Sequence, residues 1–222
     1  MFKESTLKFL KGLKKNNNRD WFEKNRPAYK EARADFEDFI QSLITIHGKS
    51  DPDLQPLIAK KCIFRINRDV RFSKDKSPYK TNFGASMDRG GRKSGLAGYY
   101  FHLEPGNSFF GGGIWMPSPE NMKKVRQEID YCFDEFKKLV SSKKFKSVFG
   151  DLYTGEDVQL SRVPQGFEKD NPAADFLKFK SWLVISNVDD KIVCSKQLLK
   201  TTTEGFKLMQ PFIHFLNRSI QE

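Results

Sequence analysis

Several signals that commonly identify a protein are missing from this sequence. No apolar run approaches the roughly 20 residues needed to cross a bilayer as a helix. The three cysteines, Cys62, Cys132 and Cys194, are far apart and form no CxxC pair, which excludes a zinc ribbon and a disulfide framework. Each lies in an apolar context and reads as a small buried hydrophobe. Histidine occurs only as His47, His102 and His214, with no ligand spacing among them or with acids, so no metal site is expected. Nothing points to a cofactor: "GGGIW" lacks the Gly-Lys-Ser/Thr ending of a nucleotide-binding phosphate loop. The opening Met-Phe-Lys-Glu-Ser reads as no signal peptide. Reduced cysteines suit a cytoplasmic protein with no membrane partner.

Phenylalanine and positive charge are plentiful. There are 21 phenylalanines in 222 residues, which argues for a well-filled aromatic core and against disorder. The net charge is +11, and most of it is concentrated. Residues 59–93 hold 11 basic and 3 acidic side chains, a surplus of 8. Charge gathered in one segment raises the local potential and favours an anionic partner.

The apolar spacing predicts helices first, then strands, then helices again. Ser5 suits the cap of a first helix bearing Phe9, Leu10 and Leu13, and the run Asn16 to Asn18 ends it. Asn18 suits the cap of the next helical stretch, where Pro27 begins a second helix or kinks a long one. Strands are expected near 60–66, 83–88, 97–104, 108–116 and 181–186, with a further short one in "VQLSRVP". The turn "EPGNS" joins two of them as a hairpin. Ser118, Pro119 and Glu120 open a helix with Met122, Val125, Ile129, Phe133 and Phe136 as its buried stripe. Asn171 and Pro172 start another, and a last helix runs from near Ser195 past Pro211. With no repeat or linker, the expectation is one α+β domain over 1–222, an antiparallel sheet flanked by N-terminal and C-terminal helices.

Four stretches carry a family likeness: "NNNRDWFEKNRPAY" (16–29), "FRINRDVRFSKDKSPYKTN" (64–82), "AGYYFHLEPGNSFFGGGIWMP" (97–117) and "VPQGFEKDNPAADFLKFKSW" (163–182). Together and in this order, they resemble the signatures of the uncharacterised conserved family catalogued as domain of unknown function 2461. The resemblance covers nearly the whole chain. It implies an α+β protein and assigns no activity or catalytic residue.

Two constellations are candidate sites. In residues 65–80, Arg65, Arg68, Arg71, Lys74 and Lys80 could converge on one anion, because arginine forks match phosphate and carboxylate. The period of three fits neither strand nor α-helix and predicts loop or short helical turns after Ile66. The competing reading pairs these cations internally, with Asp69, Asp75 or Glu104. On the expected strand "GYYFHLE", alternation puts Tyr100, His102 and Glu104 on one face and Tyr99, Phe101 and Leu103 on the other. His102 beside Glu104 is a candidate catalytic acid–base pair. Gly111, Gly112 and Gly113 mark a close approach to the backbone, by a ligand at a pocket wall alongside Tyr100 or by the chain's own side chains.

The expected function is therefore binding of a phosphorylated or polycarboxylate small molecule, with no reaction assigned and whether the chain is an enzyme left open. One alternative is a single-stranded nucleic-acid-binding module, since Phe64, Phe72, Tyr79 and Phe83 interleave with the charges. Another is a scaffold or interaction protein with a structural salt-bridge network. Ligand identity and oligomeric state are not readable from the sequence.

Overall fold

A computed structural model describes residues 1–71, 73–155 and 158–221. The chain starts with three helices, α1 (Glu4–Lys15), α2 (Arg19–Lys24) and α3 (Arg26–His47), and a one-turn helix α4 (Ala59–Cys62). Three strands follow, β1 (Phe83–Asp88), β2 (Gly98–Leu103) and β3 (Ser108–Ile114). Helices α5 (Pro119–Tyr131), α6 (Phe133–Ser141), α7 (Lys143–Phe149) and α8 (Ala174–Leu177) precede β4 (Trp182–Val188), α9 (Asp190–Val193) and α10 (Gln197–Gln221). The strands pair in the order β1-β2-β3-β4 as an open antiparallel sheet, and the fold class is α+β.

The sheet is legible in local chemistry. Pro105 and Gly106 form the β2–β3 turn, where Gly106 has φ +77° and Asn107 N–H donates to the Glu104 carbonyl at 2.9 Å. That is a type II turn, whose third position needs a residue tolerant of positive φ. The strand expected near 60–66 is corrected. Residues 59–62 form α4, and contact with β1 is limited, among the described residues, to the Ile63 bridge at Ala85 and the Phe64 N–H bond to the Gly84 carbonyl. Lys60 and Lys61 favour helix over strand, and extended pairing starts where β-branched and aromatic residues begin. "VQLSRVP" likewise gives one bridge, Gln159 to Phe179, rather than a strand.

The chain packs as two compact units. One comprises Met1–Met87, Tyr100–Phe110 and Asn187–Glu204. Its core is aromatic: Phe36 packs with Phe2, Phe83 and Phe101, and Phe39 lies 4.7 Å from Phe101. Ser5 does not cap α1. The helix begins one residue earlier, and Asp35 of α3 accepts from Lys3 N–H at 3.0 Å and from the Thr6 hydroxyl at 2.6 Å. Asn18 does cap α2, accepting from Trp21 N–H at 2.9 Å, and Pro27 sits in the first turn of α3.

The other unit comprises Asp88–Tyr99, Gly111–Ser186 and the chain from Gly205 onward. Phe136 lies 5.2 Å from both Phe176 and Phe215. Arg126 donates to the carbonyls of Leu177 and Phe179 at 2.8 and 2.9 Å, satisfying the last turn of α8. Asn171 accepts from Ala173 N–H through its side chain and from Ala174 N–H through its carbonyl, closing a turn, and α8 starts three residues after it at Ala174. Asn217 of α10 holds both backbone groups of Ala97, at 2.7 and 3.0 Å.

A candidate polar site on β2 and the basic hairpin beside it

The basic stretch is a β-like hairpin, not a loop of helical turns. Phe64 N–H donates to the Gly84 carbonyl, Lys80 N–H to Ile66 and Arg68 N–H to Pro78, at 2.9, 2.8 and 3.0 Å. Asn67 bridges to Tyr79. One of the three consecutive asparagines secures this hairpin. Asn17 donates to the Tyr79 carbonyl at 2.9 Å and accepts from Tyr79 N–H at 3.1 Å. The Tyr79 ring stacks on Phe22, 4.0 Å between centroids. Arg33 of α3 adds a donor, its Nη1 reaching the Phe64 carbonyl at 3.3 Å.

This backbone path decides how the cations are used. Arg68 pairs with Asp75 and reaches Ser73 at 3.3 Å. Arg71 holds Asp69 through two bonds, at 2.6 and 3.0 Å. The guanidinium of Arg71 holds the Asp69 carboxyl below its usual range, and Ser77 together with Arg68 does the same for Asp75. These two arginines are therefore held by separate acids and do not meet on a shared centre. Arg65, Arg71 and Lys74 are exposed. Lys80 is half-buried, with its ammonium 5.2 Å from the Phe64 ring centroid. Tyr79 and Phe83 are buried, whereas Phe64 is half-buried and Phe72 lies outside the described residues.

On β2 the expected alternation is present. Tyr99, Phe101 and Leu103 are buried, while Tyr100, His102 and Glu104 are half-buried. His102 Nδ1 lies 3.3 Å from the Tyr100 hydroxyl and 3.4 Å from the Asn82 amide nitrogen. Its Nε2 faces Glu104 Oε2 at 3.5 Å. The ring stacks on Phe109, 4.6 Å away and 9° from parallel. Glu104 accepts from Thr81 at 2.9 Å, Lys14 at 3.4 Å and Asn107 at 3.2 Å.

Burial pushes His102 below its ordinary pKa, and the charge of Lys80 adds to this. Together they outweigh the favourable pull of Glu104. Burial alone pushes Tyr100 up to about 12. Burial would also raise Glu104, but its bonds to Asn107 and Thr81, the charge of Lys14 and the contact with His102 hold it below its ordinary value. Near neutrality the cluster is thus a neutral phenol, a neutral imidazole and a carboxylate.

Sequence reasoning found Tyr100, His102 and Glu104 but missed their supports. Asn82 and Gly84 follow from the alternation of β1, which puts them on the face opposite Phe83 and Ala85. Gly84 matters sterically: a Cβ there would collide with the Tyr100 hydroxyl and lie 3.2 Å from its Cζ. Lys14 and Arg33 come from distant helices, and no local signal marks them.

The triple glycine is explained by packing. A Cβ on Gly111 or Gly113 would run into the backbone of Val184 or Trp182, and one on Gly112 would lie 2.7 Å from both the Gly98 carbonyl and the Met209 sulfur. The space is filled by neighbouring strand and helix atoms.

A family model described as "Conserved hypothetical protein (DUF2461)" matches residues 5–215. The chain belongs to this family. It is the family that the four signature stretches resemble, and in this chain three of those stretches contribute to the candidate site. "NNNRDWF" supplies Asn17 and Phe22, "FRINRD…YKTN" supplies the hairpin with Lys80, Thr81 and Asn82, and "AGYYFHLEPG" supplies Tyr100, His102 and Glu104. No curated protein and no solved structure matches the chain. Among the described residues, no helix is long and apolar enough to cross a membrane.

Proposed function

We propose that this protein binds an anionic small molecule, phosphorylated or polycarboxylate, on the His102 face of β2, with the basic hairpin drawing the anion in. The observation that carries the reading is Lys80. It is a half-buried cation whose charge reaches His102, on a hairpin that keeps a cationic surplus. Residues 63–82 contain six basic and two acidic side chains, and the two acids are engaged by Arg68 and Arg71. Arg65 and Lys74 add exposed charge, giving a field that steers anions without holding them rigidly. The Asn82 amide, with two N–H groups, offers a hydrogen-bond donor beside it. The binding centre is accordingly placed at Lys80, with Arg65, Arg68, Arg71 and Lys74 as its electrostatic approach.

Burial of Tyr79 and Phe83 removes two of the four aromatics that a single-stranded nucleic acid would stack on. The test is a thermal-shift series with inorganic phosphate, adenosine monophosphate, citrate and a single-stranded oligonucleotide, at low and moderate salt. A hundredfold excess over Kd stabilises by about 2.7 kcal/mol, which for a chain of this size raises Tm by roughly 5–10 °C. Lys80→Ala should remove most of the shift, and Arg68→Ala should reduce it mainly at low salt. A response to the oligonucleotide alone, falling steeply with salt, would replace this reading with nucleic-acid binding. No response to any anion would leave the ion pairs as structural.

A further inference from the structure

The partners of the His102 ring define a direction. Groups that can donate gather at Nδ1, namely the Tyr100 hydroxyl at 3.3 Å and the Asn82 amide at 3.4 Å. A carboxylate faces Nε2, with Glu104 Oε2 at 3.5 Å. A neutral imidazole has one N–H and one lone pair. Donors on one side and an acceptor on the other select the tautomer with its proton on Nε2. That Nε2 atom is buried and, among the described residues, makes no hydrogen bond within normal limits. The ring is held flat against Phe109, and Gly84 clears the space in which the Tyr100 hydroxyl sits. Glu104 is itself oriented by Thr81, Asn107 and Lys14.

We propose that Tyr100, His102 and Glu104 form a proton relay that deprotonates a hydroxyl group of the bound anion, with Tyr100 as the end that meets the ligand. The chemical class of ligand is then an anion that also carries a hydroxyl, such as a sugar phosphate or nucleotide. Both ring nitrogens of His102 are turned toward the chain's own groups and Tyr100 is only half-buried, so the phenol is the member assigned to the ligand. In the transfer, the ligand O–H bond breaks and its proton joins the Tyr100 oxygen. The proton that Tyr100 already carried passes to His102 Nδ1. The products are a ligand alkoxide and an imidazolium, the latter held between the Tyr100 oxygen and the Glu104 carboxylate. Reversal returns the proton, so no co-reactant is needed. The neutral phenol and neutral imidazole described above are the protonation states this step starts from. The charged groups facing the ring are Glu104 and Lys80, with Lys14 behind Glu104. Tyr100 is the catalytic residue; His102 and Glu104 act through it.

The relay rests on the anion reading for its ligand but can be tested without one. In the 222-residue chain with ¹⁵N-labelled histidine and lysine, long-range ¹H–¹⁵N correlation spectra from pH 5 to 8 should show His102 protonated on Nε2 alone at pH 7. Tyr100→Phe should move the Nδ1 resonance, and Glu104→Gln should lower the pH at which the ring takes its second proton. An Nδ1–H tautomer, or a His102 titration untouched by both substitutions, would overturn the relay. Adenosine monophosphate and inorganic phosphate are then titrated in. Shifts of His102 that are lost in Tyr100→Phe support Tyr100 as the ligand-facing end. Shifts of the Lys80 signals with His102 unmoved overturn that role while leaving anion binding standing. If neither probe moves any resonance, anion binding falls and takes the relay's substrate with it, whereas the Lys80 outcome overturns the relay alone.

Discussion

Gly84→Ala tests the geometry of the site through its sterics. A Cβ at this position would overlap the Tyr100 hydroxyl oxygen and lie 3.2 Å from Cζ. The hydroxyl therefore has to move, and with it the contact to His102 Nδ1. Forcing an extra methyl into packed surroundings costs about 1–3 kcal/mol, or roughly 2–12 °C in Tm at this chain length. Tyr100→Phe alone forfeits one hydrogen bond, about 0.5–1.5 kcal/mol. The double variant separates this account from a general backbone effect. Removing the hydroxyl removes the atom that collides, leaving Cζ at 3.2 Å, which a small adjustment relieves. Gly84→Ala/Tyr100→Phe should therefore be more stable than the sum of the single losses predicts, with a coupling of about 1 kcal/mol or more. Urea unfolding of the four proteins measures it. Strict additivity would show that Tyr100 does not occupy the space over Gly84, and the site as described would be wrong.

Asn17→Ala should cost more than its neighbours in the same run, about 1–3 kcal/mol, because it leaves the N–H and carbonyl of Tyr79 without their partner. Asn16→Ala, on an exposed side chain bonded to the Gly12 carbonyl, should change stability by about 0.5 kcal/mol or less. Hydrogen exchange at the Arg68 and Lys80 amides should quicken in Asn17→Ala, and unchanged exchange would mean the asparagine does not secure the hairpin. Stability should also fall with acid in two steps. His102 has a folded pKa below its ordinary 6.5, so the unfolded chain takes its proton first; the contribution is full above about 6.5 and is lost as pH drops toward the folded value. Glu104, held below its ordinary 4.5, contributes above that value and loses it at lower pH. His102→Gln should flatten the first step of a Tm-against-pH curve and Glu104→Gln the second; a curve unchanged by either removes both groups from the linkage.

What the sequence made readable was local. Asn18 caps α2, Pro27 enters the first turn of α3 and Pro105-Gly106 turns the hairpin, each through chemistry confined to a few residues. The faces of β2 were readable because strand alternation is exact. Partner choice was not readable where it depends on chain reversal. Arg68 pairs with Asp75, seven residues on, instead of the adjacent Asp69, because the hairpin folds 68 back against 78. The period of three concealed that reversal. Asp35 bonding Thr6, Asn17 holding Tyr79 and Lys14 reaching Glu104 span 29, 62 and 90 residues, and no pattern within a window could propose them.

The same contrast bears on which residues of a charged segment to suspect of function. Sequence density singled out the arginines, yet Arg68 and Arg71 are each matched to an acid that the hairpin itself supplies, and exposed pairs of this kind contribute little to stability. Their value is then electrostatic reach, which salt attenuates over about 10 Å. Lys80 differs by position, since it sits where the hairpin rejoins the sheet, over an aromatic ring and beside a half-buried polar cluster. A charge with restricted solvent access is screened less and acts more strongly on its neighbours. The segment's net charge should therefore set how fast an anion arrives, and Lys80 whether it stays. Neutralising Arg65 and Lys74 together should lower the association rate and its salt dependence with little change in dissociation, whereas Lys80→Ala should raise the dissociation rate.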